Sequence, residues 1–185
     1  MRNIVIVLSG PSGVGKGTIA SKLIERNPNL SLSISCTTRK PRVGEENGRE
    51  YFFLTREEFD SKNAQNGFLE YSEHFGNCYG TPRDFVTQKL QSKDVLLEID
   101  VNGGLNVKKS YPEAVLIMIV PPSIAEIKNR LINRGTEKIE EIELRMDRIK
   151  YELEKQDLYD YTVVNDKLED AIIDVEKIIE KEKNI

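Results

Sequence analysis

Cysteine is nearly absent from this 185-residue chain: Cys36 and Cys78 stand far apart, with no Cys-x-x-Cys and no histidine-bearing metal spacing around them. A disulfide framework and a zinc site are therefore not expected, and two reduced, buried or half-buried thiols are. Histidine is scarcer still: His74 is alone, fits no catalytic constellation and is read as a loop residue. An excess of positive charge is also missing, since 27 Lys plus Arg face 31 Asp plus Glu for a net charge of −4. That balance argues against non-specific attraction to nucleic acid or to an anionic membrane, so any anionic ligand must be met by local basic groups. No apolar run approaches membrane-spanning length, and the short apolar opening at 1–8 leads into a glycine-rich loop where a signal peptide would carry its cleavage site. The cytoplasm is the expected compartment. Low-complexity tracts are absent too, and 38% hydrophobic with 31% charged residues is the balance of an ordinary folded chain. At this length one domain with attached subregions is expected.

What is present is an alternation of strand and helix signals. Ile4-Val5-Ile6-Val7-Leu8 is a continuous apolar run rich in β-branched residues, suited to a strand buried on both faces of a parallel sheet. Residues 16–25 then place Ile19, Ala20, Leu23 and Ile24 on one helical face. Buried-strand signals recur at 95–99, 114–120 and, more briefly, 161–164. Ser123 can cap a helix running to about residue 134, where Gly135 stops it. Residues 137–158 read as a charged amphipathic helix with Ile142, Met146, Ile149 and Leu153 on one face and arginines at 145 and 148; residues 168–183 repeat the pattern. The segment 39–79 differs, holding many glycines, most aromatics and only short strand candidates at 51–54 and 68–71, so it is read as an inserted antiparallel subregion. The fold class expected is α/β: a parallel sheet flanked by helices, with a mixed or antiparallel insertion and a small helical lid. The divisions are a core of 1–34, 82–122 and 159–185, an insertion of 35–81, and a lid with flanking helices over 123–158.

Between the first strand and first helix, Gly10-Pro11-Ser12-Gly13-Val14-Gly15-Lys16 matches the G-x-x-x-x-G-K of a P-loop. Glycines let successive backbone N–H groups turn onto a phosphate, the helix N-terminus adds its positive end, and Lys16 supplies a point charge. Gly17 occupies the place where Ser or Thr ordinarily gives a hydroxyl to Mg²⁺. Either Thr18 substitutes, or the metal is held mainly by phosphates and water. A phosphate loop does not by itself name the acceptor.

Further along lie Ser35-Cys36-Thr37-Thr38-Arg39-Lys40-Pro41-Arg42 and Gly44-Glu45-Glu46-Asn47-Gly48-Arg49-Glu50-Tyr51, then Glu70-Tyr71, Gly76-Asn77-Cys78-Tyr79-Gly80-Thr81 and Leu97-Glu98-Ile99-Asp100. Pro121-Pro122-Ser123, Asn133-Arg134-Gly135-Thr136-Glu137 and Val164-Asn165-Asp166 complete the series. With the P-loop, these motifs resemble the guanylate kinase family in order along essentially the whole chain. The resemblance implies ATP as phosphoryl donor with Mg²⁺, GMP as acceptor, and Arg39, Arg42, Tyr51 and Tyr79 as holders of the GMP phosphate. Arginine forks do bind phosphate bidentately; read without the family, Arg39 and Arg42 form a solvated loop neutralised by Glu45 and Glu46.

By the same resemblance Glu70 faces the acceptor base, with Ser35 and Thr81 placing hydroxyls on it. Guanine offers two adjacent donors, N1–H and the exocyclic amine, to a carboxylate, whereas adenine presents an acceptor at N1. Glu98 and Asp100, two apart at a strand end, project to one face and are assigned to acceptor contact and to ordering of Mg²⁺. Thr81 and Glu98 are variants of the family pattern that keep its chemistry. Arg134 and Arg145 resemble lid arginines that close over the phosphates, with Arg130 as a further candidate, and Asn165 resembles the adenine-contacting position. Two other readings stand beside this one: a kinase for a different nucleoside monophosphate, and a non-catalytic recognition module of the same family.

Overall fold

In the computed structural model, residues 2–74, 76–133 and 139–184 are described. The elements run β1 (Val5–Ser9), α1 (Lys16–Arg26), β2 (Leu30–Leu32), β3 (Cys36–Thr37), β4 (Phe52–Phe53), α2 (Arg56–Ala64), β5 (Phe68–His74) and β6 (Asn77–Pro82). There follow α3 (Arg83–Leu90), β7 (Asp94–Glu98), α4 (Val101–Ser110), β8 (Val115–Val120), α5 (Ile124–Asn133), α6 (Ile139–Leu153), β9 (Tyr161–Val164) and α7 (Leu168–Lys183).

One sheet is parallel throughout, in the order β2-β7-β1-β8-β9. Every residue of β1 and β8 is buried because both faces are covered, which is why those strands read as unbroken apolar runs. Alternation along β1 sends Ile4, Ile6 and Leu8 into one core with Ile19 and Leu23 of α1, Ile127 of α5, Ile142 and Ile149 of α6 and Ile172 and Val175 of α7. Val5 and Val7 point the other way, to Val86 of α3 and Val101 and Val107 of α4. The right-handed crossover rule then places the carboxyl ends of β1 and β7 side by side, at the edge where open α/β sheets take ligands.

The second sheet, in the order β4-β3-β6-β5, is mixed, with β3 and β4 parallel and the remaining pairs antiparallel. Its core is small: Cys36, Phe59, Phe68 and Cys78 are buried, with Phe52 and Leu54 against them. Phe59 stacks on Phe68 with centroids 4.4 Å apart. Leu69 of β5 turns to the opposite side and joins the α4 face of the main core, which roots the small sheet on the large one.

Four local expectations change. β2 is an unforeseen edge strand whose pairing with β7 replaces any local apolar signal. α2 is a helix within ground read as an antiparallel insertion; Thr55 Oγ1 accepts from Glu58 N and Glu58 accepts from the Thr55 amide, a reciprocal capping box, and Phe59 supplies its buried contact. His74 ends β5 instead of lying in a loop. The helix expected to reach residue 158 stops at Leu153, and a 3₁₀ turn follows at Gln156–Leu158, where Leu158 is exposed and offers no core contact to extend the helix. The Ser123 cap is present, its hydroxyl accepting from Glu126 N at 3.1 Å. The expected stop at Gly135 lies outside the described residues. Both cysteines are free and buried, and desolvation pushes the Cys36 thiol up to about 11.

Candidate active site

The loop 10–15 leaves the carboxyl end of β1 and turns directly into α1. Gly10 and Gly15 show what the turn requires. Both have positive φ, 146° and 100°; a β-carbon at Gly10 would run into the Ile119 carbonyl, and one at Gly15 would lie 2.6 Å from Asn165 Nδ2. Val14 is fully buried in the core and pins the loop from below. Asn165 pins it from the side, its buried amide donating to the Val14 carbonyl at 2.7 Å. That bond makes Asn165 a brace of the loop, a placement the sequence alone did not suggest.

Lys16 folds back over the loop, donating to the carbonyls of Gly10 (2.5 Å) and Pro11 (3.3 Å). Burial lowers its pKa, opposed by the carboxylates of Glu98, Glu152 and Asp100 around it. Glu98 is exposed at the end of β7, and partial desolvation beside the loop raises its pKa, with Lys16 acting in the opposite sense. A β-carbon on Gly17 would meet Glu98 Oε1 at 3.4 Å. The glycine therefore admits a carboxylate beside the loop where a hydroxyl is usual. Ser12 and Thr18 are exposed.

Beside this loop a cavity of about 410 Å³ opens between the two sheets, lined by Ser35, Tyr51, Glu70, Tyr79, Glu98 and Asp100 among others. Glu70 is buried, and Thr81 Oγ1 donates to its Oε1 at 2.7 Å. Desolvation pushes the Glu70 carboxyl up to about 7, with the Thr81 bond opposing and Asp100 reinforcing the rise. Asp100 caps α4 by accepting from Gly103 N at 2.8 Å, so its carboxylate is held at the rim by a helix start. Tyr51 and Tyr79 meet edge to face, 6.1 Å between centroids.

Arg39 stands over the Tyr51 ring at 5.5 Å and is bound by Glu45 Oε1 at 2.9 Å. The other Glu45 oxygen accepts from the Arg42 amide at 2.8 Å, which ties the carboxylate to the turn. The arginine cluster is thus both neutralised by Glu45 and fixed beside the tyrosines. Arg42 is exposed. Neither arginine lines the cavity, and neither does Arg145, which is half-buried on α6. Arg134 lies outside the described residues, as does the side chain of Arg130. The structure adds Ser72 and Arg148 to the cavity walls, and it places Glu45 on Arg39 as the sequence suggested. The spacing Arg148-x-x-x-Glu152 was the available sign of an ion pair on α6.

No helix among the described residues is long and apolar enough to cross a membrane. No group of three or more metal-ligating side chains occurs among them.

The family model described as guanylate kinase matches residues 2–182. Guanylate kinase from Bacillus subtilis is 50% identical, over 96% of this chain and 88% of its own length. That from Clostridium tetani is 48% identical, over 98% and 88%. A crystal structure of guanylate kinase from Anaplasma phagocytophilum superposes with a TM-score of 0.77 at 32% identity, covering 98% of this chain and 86% of that one. A shikimate kinase from Bacteroides thetaiotaomicron, at a TM-score of 0.54 and 16% identity, shares the fold alone. With a phosphate loop on the large sheet, a carboxylate-floored cavity beside it and these likenesses over nearly its full length, the chain belongs to the guanylate kinase family.

Proposed function

We propose that the chain transfers the terminal phosphoryl group of ATP to GMP, giving ADP and GDP. The observation that carries this reading is the buried Glu70 carboxylate, oriented by Thr81 on the floor of a cavity that opens beside the Lys16 loop. One carboxylate accepting from both guanine N1–H and the exocyclic amine selects guanine, and adenine places an acceptor there instead. Ser35 adds a hydroxyl to the base end, and Asp100 faces the middle of the acceptor. Tyr51 and Tyr79, with Arg39 and Arg42 beside them, take its phosphate. The insertion 35–81 thus carries the acceptor and the residues 123–158 serve as its lid.

The donor phosphates lie on the amides of residues 10–18, and Lys16 exchanges its two carbonyl partners for phosphate oxygens. Asn165 holds the loop from the side while facing the donor base. An acceptor phosphate oxygen attacks the terminal phosphorus, the bond to the bridging oxygen breaks, and ADP leaves with that oxygen's charge; no covalent enzyme intermediate forms. The protein's work is positioning and charge, to which Arg134 and Arg145 contribute from the lid. Closure of the lid keeps water from the terminal phosphate.

The residues present fit a Mg²⁺ carried mainly by ATP: Gly17 offers no ligand, and the exposed Glu98, 3.4 Å from where a side chain at 17 would begin, is the nearby oxygen donor. Bound there, the ion would neutralise phosphate charge. We place the reaction in the cytoplasm, on free nucleotides and without nucleic acid. A coupled ATP-to-ADP assay across GMP, AMP and UMP, with and without Mg²⁺, tests the reading. Turnover with GMP and Mg²⁺ alone is expected; AMP or UMP at the rate of GMP would remove the base assignment from Glu70.

A further inference from the structure

Three carboxylates, Glu70, Glu98 and Asp100, line the acceptor cavity, yet its proposed occupant is an anion. One cation stands among the lining residues, Arg148 of α6. Its side chain is 51% exposed, whereas that of Glu152, one turn later, is 9% exposed. Arg148 Nε donates to Glu152 Oε1 at 3.0 Å. Among the described residues no hydrogen bond engages the two terminal nitrogens of Arg148.

Glu152 lies on the buried stripe of α6 with Ile142, Met146 and Ile149. A carboxylate so enclosed is costly unless a cation stays with it, and both Arg148 and the nearby Lys16 are available. The consequence is geometric. The inner edge of the guanidinium is committed to Glu152, and the outer edge, with two paired donors, is left for the cavity. Arg148 and Glu152 are also close enough to Lys16 to act on its charge, which places the pair where the phosphate loop and the acceptor cavity adjoin. A forked donor at that junction matches phosphate oxygens.

We propose that Arg148 is a further phosphate-contacting residue of this reaction, its guanidinium aimed by the buried Glu152 carboxylate at the junction of the two sites. The inference rests on the phosphotransferase reading above. Glu152 is a positioning residue, acting through Arg148.

The test compares Arg148→Gln, Arg148→Lys, Glu152→Gln and the Arg148→Gln/Glu152→Gln double variant with the parent. GMP and ATP are varied separately, and each protein is also melted thermally. The parent is assayed first: if it does not phosphorylate GMP, the reading and the inference both fall. With an active parent, Arg148→Gln is expected to lower kcat/KM about tenfold or more, with Lys restoring part of the loss, and the double variant, which leaves no unpaired carboxylate, to show the same loss at the parent's melting temperature. Glu152→Gln is expected to fall between, and adding it to Arg148→Gln to cost nothing further, because both changes remove one unit. A raised KM for GMP assigns the contact to the acceptor phosphate, and a raised KM for ATP assigns it to the donor. Arg148→Gln with kcat and both KM values within about twofold of an active parent overturns the inference alone. A loss that follows a lowered melting temperature and is equal in Arg148→Lys overturns it as well.

Discussion

The phosphate loop rests on a strand whose five residues are all buried, whereas the neighbouring cavity takes its walls from β5 and β6 of the small sheet, from Ser35 and Tyr51 just ahead of two-residue strands, from the carboxyl end of β7 and from α6. The first site is built from backbone: positive-φ glycines, a helix start and one lysine within a single strand-turn-helix unit. The second is built from side chains that the chain gathers from positions 35 to 148. Main-chain sites inherit the stiffness of the sheet beneath them. Side-chain sites depend on a small aromatic core and on ion pairs such as Arg39–Glu45 and Arg148–Glu152.

The contrast is broken most severely by removing the lysine of the phosphate loop. Lys16→Ala is expected to lower kcat about 10³-fold or more, as loss of a positioned transition-state charge does. Its melting curve should be retained, since the lysine bonds only to carbonyls and burial already disfavours its charge. A coupled assay and a thermal melt check both halves of that outcome. Next comes the small core. Phe59 is 1% exposed and stacked on Phe68, so Phe59→Ala should cost about 3–5 kcal/mol of stability. Titration calorimetry should then show GMP binding lost before ATP binding, because Phe59 packs under β5 and β6, which wall the cavity and not the phosphate loop. Equal loss of both ligands would mean that the two regions unfold as one.

The smallest effect sharpens the comparison through pH. Glu70 has its carboxyl raised from 4.5 to about 7 by burial. A raised acid favours the protonated fold, so its contribution to stability is fully present below about pH 4.5 and is lost as pH rises through about 7. GMP binding needs the carboxylate and runs the other way. Affinity for GMP should fall about tenfold per pH unit below 7 and level off above it, while ATP affinity lacks that step. Glu70→Gln should remove the step and lower discrimination between guanine and adenine about 10²-fold. A GMP affinity flat between pH 6 and 8 in the parent would show that Glu70 is ionised before the nucleotide arrives.

The same contrast explains what could be read in advance. β1, β7 and β8 announced themselves because burial on both faces demands unbroken apolar runs, and the phosphate loop because its glycines and lysine are contiguous. β2 gave no such signal: three residues, Leu-Ser-Leu, become a strand only because β7 arrives from sixty-odd positions away to pair with them. α2 carried a legible capping box, Thr55 to Glu58, but a single buried residue, Phe59, so no amphipathic stripe rose above the surrounding aromatics and glycines. Glu70, Thr81 and Asp100 were singled out only through family resemblance, and the structure brings Glu70 and Thr81 within one hydrogen bond. Family resemblance singled out Arg145 and passed over Arg148; residues three apart share one helical face, and only packing decides which reaches the cavity.

The hydrogen bond from Asn165 to the Val14 carbonyl joins residues 151 positions apart. During synthesis, a nascent chain that has emerged only as far as β8 already displays the entire phosphate-loop motif. It lacks the strut that sets the loop's shape. The loop's bracing is therefore completed only when β9 docks, and a chain stopped at β8 carries the motif without that brace.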